Sequence, residues 1–103
     1  MDIVYILTTG DDRYKIGKTT ENGFRKRIQN LQTGNDKDLV LVAFNCAIDG
    51  LYLEKRLKHK YIKNRIKGEW FIIKDRTLVD FMETLTRLNF IIVWSLIKMR
   101  HSF

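Results

Sequence analysis

Glu54 has the setting that most demands a chemical explanation. It is the only acid between Leu51 and Gly68, and a helical period puts it in the middle of a stripe made by Leu51, Leu57 and Tyr61, about 20° from Tyr61 around the axis. A carboxylate there has to be paired, with Arg27 or Lys15 as the candidate cation, or protonated or metal-bound, because an unpaired one loses its hydration. Three more side chains stand out. Tyr5 interrupts an apolar run, Ile3 to Leu7; most strand tyrosines are core residues with the hydroxyl tied off. Lys15 lies in the facing segment, where it could bond Tyr5, hold a phosphate, or be an ordinary exposed lysine. Arg27 falls on the edge of a helix face, about 60° from Phe24. Its fork of donors suits an anion, and the plain alternative is a stem that covers the helix edge.

The elements that must position these groups follow from patterning. Ile3 to Leu7 reads as a strand buried on both faces. Thr8 to Asp12 is turn chemistry around Gly10, and residues 13–18 resume a strand. Side chains alternate faces, so Tyr5 and Lys15 share one only if the residue numbers of directly paired positions sum to an even value. That requires an odd loop such as Gly10-Asp11-Asp12. Tyr5, Lys15 and Gly17 then face one way, and Val4, Ile6, Tyr14 and Ile16 face the core. Residues 21–32 form a helix with Phe24, Ile28 and Leu31 inward, Thr19 and Thr20 as caps and Gly34 as its end. Residues 38–46 make a third strand, and residues 51–65 a second helix capped by Asp49. A short strand follows at 69–74. A third helix runs from a capping Asp75 to about Leu88, with Leu78, Phe81, Met82 and Leu85 inward. Residues 89–99 are ambiguous: Phe90, Ile91, Ile92 and Val93 favour a strand, and 94–99 suit a helix.

Length bounds the chain to one domain, 1–103, with a motif-bearing core at 3–73 and an extension at 75–103. Nineteen basic residues against 12 acidic ones give a net charge of +7. That balance favours a polyanion such as nucleic acid, with a solvated basic surface as the plain alternative. A single cysteine, Cys46, excludes a disulfide framework and suggests a reducing compartment. With two histidines, a structural zinc site is not expected. The longest apolar run, 90–97, is far short of the ~20 residues of a membrane span and suits the core or a homodimer contact. No membrane partner is expected. Met1-Asp2 opens directly into a strand, so no leader is expected either and the expected location is intracellular, cytoplasmic or in a host cell.

Val4-Tyr5-Ile6 followed by Lys15-Ile16-Gly17 resembles the paired motif of the GIY-YIG nuclease superfamily, and most of all its short phage and viral subgroup, T5orf172-like. The likeness continues through Lys18-Thr19, Arg27, Leu31-Gln32-Thr33-Gly34-Asn35, Glu54 and Gly68-Glu69-Trp70-Phe71. It implies a small α/β fold: a three-stranded, mainly antiparallel sheet with helices against both faces. It also implies a metal-dependent endonuclease that hydrolyses phosphodiester bonds of DNA. By that resemblance Tyr5 assists the attacking water, Arg27 and Lys15 hold the phosphate, and Glu54 binds Mg2+, with Mn2+ as a substitute. A tyrosine has a pKa of about 10, so a nearby lysine and a metal are expected to favour its phenolate.

The chain departs from the superfamily pattern at three points. Lys15 stands where most members have a second tyrosine. Leu31 and Lys58 stand where histidines are usual, with His59 beside the latter. Gly17 leaves room for a nucleic-acid backbone to approach, or simply ends its strand. Lys18, Arg25, Lys26, Lys58, Lys60 and Lys63 are expected to flank a groove and contact phosphates. Glu69 is only a weak site candidate beside a structural Trp70-Phe71 anchor. The alternatives are a binding module of the same fold with weakened turnover, and a protein-interaction domain that uses the 90–97 run.

Overall fold

A computed structural model of the protein describes residues 1–34 and 37–93. Its central strand is β1 (Asp2–Thr8), in which Ile3 to Thr8 are all buried. The run of β-branched and aromatic residues fills both sides of the sheet, as expected for a strand without polar alternation. On one side β1 pairs antiparallel with β2 (Arg13–Thr20), and on the other with β3 (Val40–Ala47). Three short strands extend this unit: β4 (Arg65–Lys67), β5 (Trp70–Ile72) and β6 (Ile91–Ile92). Among the described residues the sheet is therefore six-stranded, not three-stranded, in the order β4-β5-β2-β1-β3-β6, and every pairing is antiparallel. The class remains α/β, with helices α1 (Phe24–Thr33), α2 (Gly50–Lys60) and α3 (Asp75–Arg87).

Of the added strands, β5 falls within the short strand expected at 69–74, β4 escapes patterning because its three residues are all exposed, and β6 lies in the ambiguous segment 89–99. β4 begins at Arg65, the residue expected to end the second helix. That helix stops at Lys60 instead. Tyr61 leaves helical geometry and a 3-10 turn, Ile62–Asn64, follows. The Tyr61 hydroxyl donates to Asp80 Oδ2 at 2.7 Å and lies 2.9 Å from Thr84 Oγ1. A tertiary contact with α3 thus overrides local helix propensity.

The register of the β1–β2 hairpin is the even one. Thr8 pairs with Tyr14, Leu7 with Lys15 and Tyr5 with Gly17, so Tyr5, Lys15 and Gly17 share a face. The turn holds that register through side chains. Thr8 Oγ1 donates to the Arg13 carbonyl at 2.8 Å and accepts from the Gly10 N–H at 3.2 Å, while Asp11 Oδ1 accepts from the Arg13 N–H at 2.9 Å. Gly10 has φ +90°, a conformation that favours glycine.

The two faces of the sheet are covered differently. Val4, Ile6, Tyr14 and Ile16 pack with Leu57, Tyr61, Phe81 and Leu85 under α2 and α3. Ile3, Tyr5 and Leu7 face α1, against Phe24, Ile28, Leu31 and Phe44. No residue of α1 is fully buried, so this second layer is thin. Gly34 ends α1 as expected, but the helix starts after Gly23, because β2 runs on to Thr20 and its hydroxyl accepts from the Gly23 N–H at 3.1 Å. Asp49 caps α2 by accepting from the Tyr52 N–H at 3.0 Å. The inward stripe of α2 is Gly50, Glu54 and Leu57, continued by Tyr61, whereas Leu51 is 48% exposed. Glycine suits the inward place at position 50, where any Cβ would collide with Asp2 Cβ at the start of β1. Asp75 sits in the first turn of α3 without capping it. Phe90 is buried in the core at 6% exposure, so it is no part of an exposed dimer face. The remainder of the 90–97 run from Trp94, and Asn35 of the first-helix motif, lie outside the described residues. No helix among the described residues is long and apolar enough to cross a membrane.

Gly17 has a structural reason to be glycine. Tyr5 lies across it, so a Cβ there would collide with Tyr5 Cζ and the hydroxyl and come within 2.7 Å of Cε1. The space expected to admit a nucleic-acid backbone is filled by that ring. Gly17→Ala should therefore destabilise the fold by about 1–3 kcal/mol through overpacking, outweighing the ~0.5–1 kcal/mol that removing a strand glycine returns. The cost should vanish in a Tyr5→Ala background. Equal drops in melting temperature in both backgrounds would rule out the ring contact as the cause.

Candidate active site

The candidate residues meet where the sheet opens. β5 begins at Trp70, and beyond the bond from the Ile16 N–H to the Glu69 carbonyl (3.0 Å) no described strand covers the outer edge of β2. Tyr5 reaches toward this edge across Gly17. Its ring is 0% exposed and packs 6.3 Å from the Phe24 ring. The phenol oxygen has no aligned hydrogen-bond partner among the described residues. Arg27, exposed on α1, is close enough to act on it electrically, so the two are in polar contact without a well-formed bond. Burial pushes the Tyr5 phenol above its ordinary pKa, and the Arg27 contact only partly offsets this; the charges of Glu69 and Glu54 add to the rise. The resting group is a neutral phenol, contrary to the phenolate expected from a neighbouring lysine.

The lysine expected beside Tyr5 is engaged elsewhere. Lys15 Nζ lies 3.4 Å from Glu69 Oε1 and 5.3 Å from the centre of the Trp70 ring. Lys58 Nζ then joins Glu69 Oε2 at 3.0 Å to Glu54 Oε2 at 3.3 Å. The result is an alternating chain, Lys15–Glu69–Lys58–Glu54, running from the sheet face to α2. For Glu69, burial works against ionisation, but the Lys58 hydrogen bond and the charges of Lys58 and Lys15 hold the carboxyl below its ordinary pKa. Glu54 is 8% exposed, and its cation is Lys58, not Arg27. The signal was present in sequence as a Glu–Lys pair at i,i+4. Glu69, expected to be marginal, is the hub, and a loop residue between two three-residue strands has no periodicity to reveal that.

The groove of expected phosphate contacts is only partly assembled. Arg25 and Lys26 are exposed on α1 near Arg27, and Lys63 is exposed on the 3-10 turn. Lys18 projects to the other face, 3.9 Å from Asp2 Oδ2. Lys60 donates to Thr84 Oγ1 at 3.0 Å on the α3 side, across the sheet from Tyr5. Lys58 is occupied by two carboxylates. His59 and Cys46 are exposed. No group of three or more His, Cys, Asp or Glu suited to a metal occurs among the described residues. Glu54 and Glu69 do fit the sparser arrangement of Mg2+, which takes one or two carboxylates and completes its shell with water and substrate phosphate.

Removing Lys58 should leave Glu54 without a cation. Lys58→Met is expected to cost ~3 kcal/mol, the low end for breaking a buried pair, and Glu54→Gln in the same chain should restore most of it. A deficit in melting temperature that persists in the double variant would mean that the Lys58 stem, not its charge, stabilises the fold.

The T5orf172 domain family matches residues 2–86, a span that includes all of these groups. No curated protein and no solved structure matches the chain. A match over that much of the sequence, on a fold that brings the paired strand motif, the helix arginine and two carboxylates to one edge, establishes that the chain belongs to the T5orf172 domain family.

Proposed function

We propose that the protein is a metal-dependent DNA endonuclease of the GIY-YIG type. The observation that carries this reading is the convergence of Tyr5, Arg27, Lys15 and two carboxylates at the open edge of β2. The exposed guanidinium of Arg27 offers the fork that a phosphodiester recognises, and it stabilises charge that builds on the phosphate oxygens during attack. A phosphate that engages Arg27 draws the guanidinium off the phenol oxygen and opens Tyr5 to the attacking water. The fraction of Tyr5 that has lost its proton to solvent, the phenolate, then orients that water and accepts its proton. Lys15 keeps a cation beside the phosphate while Glu69 fixes its position. Glu54, with Glu69, would hold Mg2+ or Mn2+, which supplies Lewis-acid stabilisation of the leaving oxygen.

Two observations favour a second reading, a nucleic-acid-binding module with weakened turnover. Lys58 neutralises Glu54, and the Tyr5 hydroxyl is buried. Plasmid nicking decides between the two. The nuclease reading expects nicking with Mg2+ or Mn2+, none with EDTA, and losses of at least about 100-fold for Arg27→Ala and Glu54→Gln. Retention of DNA without nicking in any metal supports the module.

Tyr5 sets the sign of the pH dependence. Its pKa lies above the ordinary 10.0, so the phenolate fraction rises about tenfold per pH unit well below that value. The logarithm of the nicking rate should climb by about one per pH unit from pH 7 to 9 with no plateau. A flat profile over that range would remove Tyr5 as the base.

A further inference from the structure

We propose that the face carrying Tyr5 continues into a subsite for an unpaired nucleobase, stacked on Trp70, with flanking phosphates held by Arg13 and Lys67. The inference rests on the nucleic-acid reading of the site and adds a substrate class: single-stranded or locally unpaired nucleic acid. Arg13, Lys15 and Gly17 follow one another on the same face of β2, two residues apart, so each step is about 7 Å. Trp70 pairs directly with Lys15, and Lys67 pairs with Trp70 from the next strand. The indole therefore stands on the same face as Tyr5, one strand outward.

A cleft of about 480 Å3 opens here, lined by Thr9, Arg13, Lys37, Ile66, Lys67 and Trp70. Its composition is an aromatic ring, an exposed aliphatic side chain and three cations. Asp11, the nearby acid, is already engaged: it accepts from the Thr9 hydroxyl at 2.6 Å and the Arg13 N–H at 2.9 Å, and it pairs with Lys37 at 3.3 Å. Cations alone would suit any polyanion. A half-buried indole with Ile66 beside it, in a cleft that opens to solvent, suits the flat apolar surface of a base. Bases inside a duplex present only edges and phosphates. A base reaches this ring only after leaving its stack, and every base has a face that can stack. Lys15, over the same indole, links the subsite to the Tyr5 edge along β2.

The test measures binding by the full-length protein in EDTA, so that turnover plays no part. The probes are a labelled octathymidylate, the same backbone with abasic sites, and a duplex of equal length, read by fluorescence anisotropy. The wild type should bind octathymidylate about tenfold more tightly than the abasic strand, a gap on the scale of one stacked base. It should also prefer octathymidylate to the duplex. Trp70→Phe should keep the gap and Trp70→Ala should lose it. Should Trp70→Ala fail to fold, the wild type and Trp70→Phe still decide through the abasic strand. Equal affinity for thymidine and abasic strands, a gap that survives in folded Trp70→Ala, or no binding to any probe overturns the subsite. Absence of nicking with an intact gap counts against the nuclease reading alone. Nicking without a gap counts against the subsite alone.

Discussion

The even register of the first hairpin is the constraint on which the rest depends. A strand has only two faces, and a slip of one residue would exchange every side chain between them. With Thr8 opposite Tyr14, Val4, Ile6, Tyr14 and Ile16 join the aliphatic and aromatic core under α2 and α3. The same choice sends Tyr5, Lys15, Gly17 and Arg13 to the other side. Turn and core reinforce each other: Thr8 and Asp11 bond the loop backbone, and the reversed register would bury Lys15 and expose Ile16. Gly17 completes the arrangement, because only a residue without a Cβ lets the Tyr5 ring lie flat across β2.

A second consequence is electrostatic. A phenol buried beside an open edge keeps its proton, while two carboxylates nearby require cations. The chain answers with alternation: Lys15 and Lys58 each meet Glu69, and Lys58 also meets Glu54. Such a chain has small net worth, since desolvation offsets most of the attraction, yet losing any one member leaves a partner uncompensated. The arrangement is better explained as holding charges at set positions than as a source of stability. It also sets the demand on any divalent cation, which has to compete with Lys58 for Glu54.

Legibility in the sequence followed burial. β1 and β3 carry long apolar runs, β2 resumes a strand after clear turn chemistry, and the inward faces of α1 and α3 repeat at helical spacing, so these elements could be read directly, whereas the hairpin register was legible only as a condition on an odd loop. β4 could not, because three residues of Arg-Ile-Lys on a sheet edge have no period to detect, and β6 was legible only as a strand preference at 90–93 inside an ambiguous segment. The stripe of α2 differs from expectation only at its first position, because the helix is expected to begin at 51; Gly50, packed closely on Asp2, takes the inward place and Leu51 faces out. The same limit applies to charges. Glu54 announced itself as a carboxylate in need of a partner, but its partner is the adjacent-turn lysine and not Arg27. A basic segment that looked like one groove is divided by the sheet, with Lys18 and Lys60 on the α2–α3 side.

The unequal cover of the two faces bears on how such a site would work. Under α2 and α3 the packing is dense, with Leu57, Phe71, Phe81 and Leu85 fully enclosed. Over Tyr5 the cover is α1, whose Phe24, Ile28 and Leu31 are only half-buried and whose N-terminus lacks a side-chain cap. Segments with few enclosed apolar contacts open at lower free energy than the core. Arg27 rides on that lightly held helix, whereas Tyr5, Gly17 and Lys15 are fixed in the two best-packed strands. The sheet therefore supplies a rigid floor and α1 an adjustable cation above it. That division allows a phosphate to be gripped from one side without disturbing the register that keeps the phenol in place.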